Sequence, residues 1–564
     1  MPAQNPVIPG RGPLVPRFLN AQAPFVITPR MTSTELVSSR AMNGGHTNES
    51  SHESSLSRWV FVVAAIYFLL HLLTATRYGY FRDALYYLAC SEHLDWGYVD
   101  QPPLIAALGW IARHTLGTSL SALLFWPALA GAVRVVLTAA FARELGAGRF
   151  GTVLAAVLSV TPPVWYVTDH QFAMNALEPI FWTGCAYVIL RMIKTANPKL
   201  WLAFGAISGL GLQNKYSIAV FAFALLAGLL LSPHRKLLLT PWLFAGGGVA
   251  LLIFLPNLLW NIHHHWPFLE LMHNISASGK DVVLSPLAFL AQQILVMGPV
   301  SFPFWLAGLL FFLFSRDADR FRTFGWAFVI TIAFFLMAHG KNYYSTPAYC
   351  IVLDGGAVAA ERLLAAPFFE GRPRLRAALR PVAFAWLIAG VLLILPSFLP
   401  VLPVDRYLRF QEHLPFTIPR SEHSHMGAAL PQYYADEFNW QEMAQAVARV
   451  YQTLTPEEQA KTAIFTNNYG EAAAIDFFGP KYGLPKAICG HQNYFLWGPR
   501  NYTGEIVIRI GATIEDVRSG YESVSLAANI DNPYALYYET RPILLCRGRK
   551  ENYQTHWDSV KKWE

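Results

Sequence analysis

The chain has 564 residues, of which 54% are hydrophobic and 14% charged, with a formal net charge of +7. A soluble protein of this length carries nearer a quarter charged residues, so a purely soluble enzyme is excluded. The excess of cations lies in short loops between apolar runs, which excludes a nucleic-acid footprint as its source, and five cysteines in so long a chain exclude a disulfide scaffold.

Residues 1–57 are rich in Ser, Pro, Asn and Gly, carry no apolar period and read as a disordered cytoplasmic tail. Between residues 58 and 400 apolar runs of roughly 15–25 residues repeat, the length at which a helix crosses a bilayer with its own backbone satisfied. About eleven spans are predicted. They fall at 59–75, 121–142, 151–167, 176–192, 200–213, 216–231, 241–260, 286–314, 324–338, 344–364 and 381–400. No small-residue cleavage site follows the first run, so it is read as a span and not as a signal peptide.

The connecting loops fall into two sets. ARELGAGRF, RMIKTANPKL, SPHRK, SRDADRFR and EGRPRLRAALR are short and basic. The alternate set holds residues 77–120, WYVTDHQFAMN, QNK, HHHWPFLELMHN and HGKNYY, and is aromatic and sparse in Lys and Arg. The bias puts the basic set in the cytoplasm and residues 401–564 outside an inner (plasma) membrane. In that C-terminal part WQEMAQAVARVYQTL predicts an amphipathic helix. TAIFT, KAICG, EIVIRI and ILLC predict short buried strands. The fold class is therefore mainly α. A polytopic helical membrane bundle at 58–400 carries a small soluble α/β domain at 401–564.

The outer loops gather polar chemistry at one membrane face. They hold Arg82, Asp83, Asp95, Asp100, Gln101, Asp169, His170, Asn175, Glu178, Lys215, His263, His264, His265, Lys341, Tyr343 and Tyr344. Ionisable groups at a membrane edge mark a function or a watery cavity. Acids can move protons, cations can hold phosphate, and aromatics can pack a sugar ring or a headgroup. Asp83 stands out, about two turns beyond the first span and beside Arg82, among Tyr80, Tyr86 and Tyr87. QPPL predicts a rigid bend that launches LIAALGWIARHTLG as a helix lying on the membrane. Three successive His cannot share one helix face, so the run at 263–265 is no metal site. Arg134, inside the second span, is expected to snorkel towards the cytoplasmic interface. Walker, HExxH and GxSxG motifs are absent.

The segments GYFRDALYYLACSEHLDWGYVDQPPL, MNALEPIFW, GLGLQNKYS, FLPNLLWNIHHHWPFLEL, GKNYYSTPAY and NYGEAAAIDFFGP follow one another in order. Together they resemble the bacterial branch of the dolichyl-phosphate-mannose protein mannosyltransferase superfamily, to which lipid A aminoarabinose transferases are related. The resemblance implies a C-type membrane glycosyltransferase that passes a sugar from a polyprenyl phosphate to an acceptor hydroxyl with inversion. It implies Asp83 as the family's first-loop acid, with Ala84 where a Glu is usual. Asn175 falls at or near the second acidic position, for which Glu178 or Asp169 can stand in. Lys215 and Lys341 match basic positions near the lipid phosphate, and Asp100 and Gln101 replace a Glu-Lys pair.

These readings nominate Asp83, Glu178 and Asp169 as catalytic and Lys215, Lys341 and Arg82 as donor-phosphate ligands. Tyr98, Asp100, Gln101, Asn175, His265 and Tyr344 are nominated as substrate-binding. The expected partners are a polyprenyl-phosphate-linked sugar, the lipid bilayer, and a glycan, lipid or protein hydroxyl as acceptor, without nucleic acid. No cofactor is certain, and a divalent metal is left open without support. The alternatives are a transporter or flippase for a lipid-linked sugar and an inactive homologue that binds one, the latter prompted by Ala84.

Overall fold

The structure is a computed structural model that describes residues 56–279, 282–414, 418 and 428–564. The tail expected at 1–57 lies, but for its last two residues, outside the described residues. The remainder is mainly helical. In chain order the first helices are α1 (Arg58–Thr74), α2 (Arg82–Glu92), α3 (Leu104–Thr115), α4 (Leu120–Glu144) and α5 (Arg149–Leu158). Then come α6 (Pro163–Thr168), α7 (Met174–Thr195), α8 (Leu200–Asn214), α9 (Ile218–Leu230) and α10 (Pro241–His263). The series continues with α11 (Pro267–Ser278), α12 (Pro286–Met297), α13 (Phe302–Phe314), α14 (Arg322–Met337) and α15 (Tyr349–Leu364). A further long helix, Pro373–Phe398, precedes the C-terminal part.

Among the described residues five helices are long and apolar enough to cross a membrane, and α12 with α13 makes a sixth, bent by 114°. The chain is thus an integral membrane protein by length and composition of its helices, and the count of about eleven spans is not confirmed, since several apolar helices, Arg58–Thr74 and Ile218–Leu230 among them, are shorter. Each expected segment is helical, yet two are broken. The run predicted at 151–167 splits into α5 and α6 at Thr161-Pro162-Pro163, because proline lacks the N–H and bars helix from the residue before it. The run predicted at 286–314 breaks at Gly298, which has φ 82°, followed by Pro299. Over their most apolar stretches, α10 and Pro373–Phe398 have only 11% and 6% of their residues buried. Such apolar surface suits a lipid boundary.

Arg134 does not snorkel. It is wholly buried, and its Nη1 lies 2.7 Å from Asp169 Oδ2. Tyr67 Oη donates to the same oxygen at 2.8 Å, and the Trp165 ring lies 4.4 Å from the guanidinium. A charge in so apolar a setting persists only when paired, and the partner sits in the turn after α6.

The C-terminal part builds a five-stranded sheet in the order β2-β1-β3-β5-β4. Its strands are β1 (Thr462–Thr466), β2 (Ile488–Cys489), β3 (Ile506–Arg509), β4 (Tyr521–Ala528) and β5 (Ile543–Arg549). β1 pairs in parallel with β2 and β3, and β5 runs antiparallel to β3 and β4. The helix predicted from WQEMAQAVARVYQTL is Trp440–Tyr451. A second helix, Tyr469–Phe478, joins β1 to β2 and begins with a capping box between Asn468 and Glu471. Cys489 and Cys546 are both buried free thiols. One hydrophobic cluster unites Leu85, Tyr86, Leu88 and Ile105 of α2 and α3 with Val447, Ile464, Ile475 and Ile508. The loop helices after the first span and the sheet therefore share a core.

Packing in the bundle relies on close approach of backbones. A Cβ added at Gly308 would overlap the Val352 carbonyl, and one at Gly356 the Phe304 carbonyl. This pair of glycines sets the α13–α15 crossing, as small residues do between membrane helices. Since backbone cannot yield as a side-chain tip can, Gly356→Val is expected to destabilise the protein by about 1–3 kcal/mol. Thermal unfolding of the purified protein in detergent measures it, and an unchanged midpoint would refute this account of the crossing.

Candidate active site

The extended backbone at Phe81 ends the first loop and starts α2, which puts Asp83 in a first helical turn where a carboxylate is favoured by the helix dipole. Tyr469 Oη donates to Asp83 Oδ1 at 2.8 Å, and Arg82 Nε lies 3.6 Å from the same oxygen. Oδ2 makes no hydrogen bond among the described residues, and the side chain is 29% exposed. Arg82 is held from several sides. Its Nη1 donates to Tyr538 Oη at 3.0 Å, its Nη2 lies 3.7 Å from the buried Asp436, and its backbone N–H donates to the Asp436 carbonyl.

A second carboxylate stands close by. Asp100 Oδ1 accepts from Tyr86 Oη at 3.0 Å, and the Tyr86 ring packs 4.6 Å from that of Tyr469. Burial raises the Asp100 carboxyl to about 7, against the lowering effect of the Tyr86 bond, and the Asp83 charge adds to the rise. The loop that carries Asp100 is tied down at both ends. Tyr98 is buried and its hydroxyl lies 3.1 Å from both the Cys90 and the His93 carbonyl oxygens, to one of which it donates. Gln101 is buried, its Nε2 3.7 Å from Cys90 Sγ and its Oε1 without a partner. Asp95 Oδ2 accepts from Trp260 Nε1 at 2.7 Å, and Asn257 Nδ2 donates to the Trp96 carbonyl at 2.8 Å.

The third group lies at the ends of α7 and α8. Lys215 Nζ donates to Asn175 Oδ1 at 2.7 Å and to Glu178 Oε2 at 3.0 Å. Glu178 is buried, and its other oxygen accepts from Ser217. The Lys215 ammonium also sits 4.7 Å from the Tyr344 ring, so the loop with Lys341 and Tyr344 closes on the α8–α9 turn. Tyr216 Oη donates to Asn257 Oδ1 at 3.0 Å and feels the Asp100 charge, which links this group to the second.

Of the nominated residues, the structure brings Asp83, Arg82 and Asp100 together, and separately Lys215, Asn175, Glu178 and Tyr344, while Tyr98 and Gln101 brace the loop that carries Asp100. Asp169 has no exposed surface, and its carboxylate is occupied by Arg134 and Tyr67. His265 sits in a left-handed turn with φ 60°, while it is His264 that stacks on Trp260, 4.1 Å between centroids. Among the described residues no group of His, Cys, Asp or Glu is arranged to hold a metal ion. The sequence reading missed Tyr469, Asp436, Trp260 and Asn257. For Tyr469 a signal was present, because Asn468-x-x-Glu471 is a capping-box pattern that fixes where its helix begins.

Because Asp100 keeps its proton to about 7 in the fold but loses it near 3.8 when unfolded, its stabilising share is complete below about 3.8. It is lost as pH rises through about 7. Asp100→Asn, always neutral, should therefore lower the unfolding midpoint less than wild type does between about pH 5 and 8. Glu471, which burial also pushes up to about 7, should leave a residual slope. Thermal unfolding across that range decides it, and parallel slopes for both proteins would contradict the assignment.

Residues 100–260 match the model of a family described as dolichyl-phosphate-mannose-protein mannosyltransferase. A lipid A galacturonosyltransferase, RgtD of Rhizobium johnstonii, is 26% identical over 264 residues, 44% of this chain. The match spans about half of that relative, 52% of its length. Among solved structures, ArnT from Cupriavidus metallidurans bound to undecaprenyl phosphate superposes with a TM-score of 0.56 at 14% identity, covering 86% of this chain and 98% of that one. Its apo form gives 0.52 at 15% identity, covering 86% and 97%. The fold is therefore of the ArnT kind, and residues 100–260 are similar to the dolichyl-phosphate-mannose-protein mannosyltransferase family.

Proposed function

We propose that the protein is a membrane glycosyltransferase that transfers a sugar from a polyprenyl-phosphate donor to an acceptor hydroxyl with inversion, at the non-cytoplasmic face. The observation that carries this reading is Asp83. One of its oxygens is fixed by Tyr469 and Arg82, while the other is unengaged on a partly exposed side chain. Glu178 and Asp169, the other acids considered, have their carboxylates taken up by Lys215 with Ser217 and by Arg134 with Tyr67. Two similar proteins support the reading: RgtD is a lipid A galacturonosyltransferase, which supports sugar transfer, and ArnT, of the same fold, has been seen with undecaprenyl phosphate, which supports the donor class.

In the reaction so read, Asp83 accepts the proton of the acceptor hydroxyl as its oxygen attacks the anomeric carbon. The bond from that carbon to the phosphate oxygen breaks on the opposite side, and the polyprenyl phosphate leaves with the electron pair. Asp100, with a carboxyl raised to about 7 by burial, sits beside Asp83 as a hydrogen-bonding group for the sugar or the acceptor. Cations stabilise the charge that grows on the leaving phosphate. An ammonium has three N–H bonds. Asn175 and Glu178 take two from Lys215, which leaves one for a phosphate oxygen, and the short loop bearing Lys341 adjoins it through Tyr344.

Asp83→Asn keeps the shape and removes the base. It is expected to lower the transfer rate at least about 100-fold while the protein remains folded. Purified protein with a radiolabelled polyprenyl-phosphate sugar measures this, and a rate within a few-fold of wild type would remove Asp83 from the role. Lys341→Ala is expected to raise the Michaelis constant for the lipid donor and to lower turnover, with Lys341→Arg retaining part of both. Steady-state kinetics over donor concentration, at fixed detergent, report it, and wild-type constants in Lys341→Ala would take that lysine out of the phosphate site.

A further inference from the structure

We propose that Tyr469, from the helix after β1, is a positioning residue for the Asp83 carboxylate, so that the C-terminal part completes the active site. This rests on the glycosyltransferase reading, and deepens it by adding a group that lies far from the first loop in sequence.

The geometry is specific to this tyrosine. Its hydroxyl donates to Asp83 Oδ1 at 2.8 Å. Its ring lies 4.6 Å from Tyr86, whose own hydroxyl donates to Asp100 at 3.0 Å. Two phenols packed on each other thus hold two neighbouring carboxylates. The Arg82 guanidinium lies 5.5 Å from the Tyr469 ring, and the His491 ring stacks on it at 5.0 Å. The backbone is fixed as well. The Tyr469 N–H donates to His491 Nδ1 at 3.3 Å, and the Asn468–Glu471 capping box sets the helix start at this residue.

Gly470 is what lets the helix come so near. A Cβ there would overlap Arg82 Cγ. The contact brings a tyrosine hydroxyl to a carboxylate at a part-buried position. There a hydrogen bond to a charged group is stronger than one between neutral groups. With Oδ1 anchored, rotation of the Asp83 side chain is restricted and Oδ2 keeps one direction, towards the acceptor. Proper orientation of a catalytic group is a large part of its effect. Tyr469 touches neither sugar nor phosphate in this account and acts through Asp83.

Two measurements test it. First, 3-fluorotyrosine placed at position 469 gives a single ¹⁹F resonance, read in the wild-type background and in Asp83→Ala. The resonance should move when the carboxylate is removed, and an unmoved resonance would overturn the pairing whether or not the protein transfers sugar. Second, Tyr469→Phe should lower kcat about tenfold and leave the donor KM within about twofold, since the anchoring bond is lost and donor contacts are kept. The double variant Tyr469→Phe/Asp83→Asn should be no slower than Asp83→Asn alone, because the phenol then has no base to position. Tyr482→Phe, which loses a phenol elsewhere in the C-terminal part, should transfer at the wild-type rate. Losses that multiply in the double variant, or a kcat for Tyr469→Phe within twofold of wild type, would refute the role. If the wild-type protein transfers no sugar from any donor, the glycosyltransferase reading falls, and the ¹⁹F result alone decides the Tyr469–Asp83 pair.

Discussion

The contact between Gly470 and Arg82 governs how the molecule is put together. A glycine at that point lets the helix Tyr469–Phe478 settle on α2 without a side chain between them. From this approach follow the Tyr469–Asp83 hydrogen bond, the stacking on Tyr86, and the shared hydrophobic core of α2, α3 and the sheet. Because Arg82 is clamped by Asp436 and Tyr538 at the same place, the surface on which the helix lands is rigid. A loop helix just outside a membrane span would otherwise be a mobile element, since little apolar area fixes it.

Charge is handled by the same logic throughout. Removing an ion from water costs several kcal/mol unless a partner and hydrogen bonds meet it. Arg134 in α4 meets Asp169 and Tyr67, and Lys215 meets Glu178 and Asn175. Each pair bridges elements distant in sequence, so each also fixes the register of the helices that carry it. Asp83 differs in kind. Its side chain is partly exposed, with one oxygen hydrogen-bonded and the other not, which is what the proposed base requires.

The helices were legible because apolar runs of helical length leave few alternatives in lipid. Their interruptions were less so. The breaks at Pro162–Pro163 and at Gly298–Pro299 carry an explicit backbone signal, but an uninterrupted apolar composition hides it when runs are judged by length. β1, β2, β3 and β5 could be read from short buried runs. β4, YESVSLAA, could not, because it is an edge strand with most of its residues exposed and so has no apolar face to alternate. In the site, Asp83 and Asp100 announce themselves as acids beside a span. Tyr469 does not, since 386 residues separate it from Asp83 and no local period encodes such a contact. Arg134 was misread for the same reason: its counter-ion, Asp169, comes from another element.

Which acid can act as a base is decided by these long-range partners and not by position along the chain. From sequence Asp83, Asp169 and Glu178 are all acids near the outer ends of apolar runs, and Asp83 stands out by its place beside Arg82 and a cluster of tyrosines. A carboxylate whose lone pairs are taken by an arginine and a tyrosine, or by a lysine and a serine, must break those bonds before it can accept a proton from a substrate. In a buried site nothing equivalent replaces them. Asp83 has no such barrier at Oδ2, and at Oδ1 the Tyr469 hydrogen bond, with the Arg82 ion pair beside it, holds it still. In the proposed reading the partners of Asp169 and Glu178 make them structural ions and leave Asp83 as the base, and the difference lies in the fold that delivers each partner.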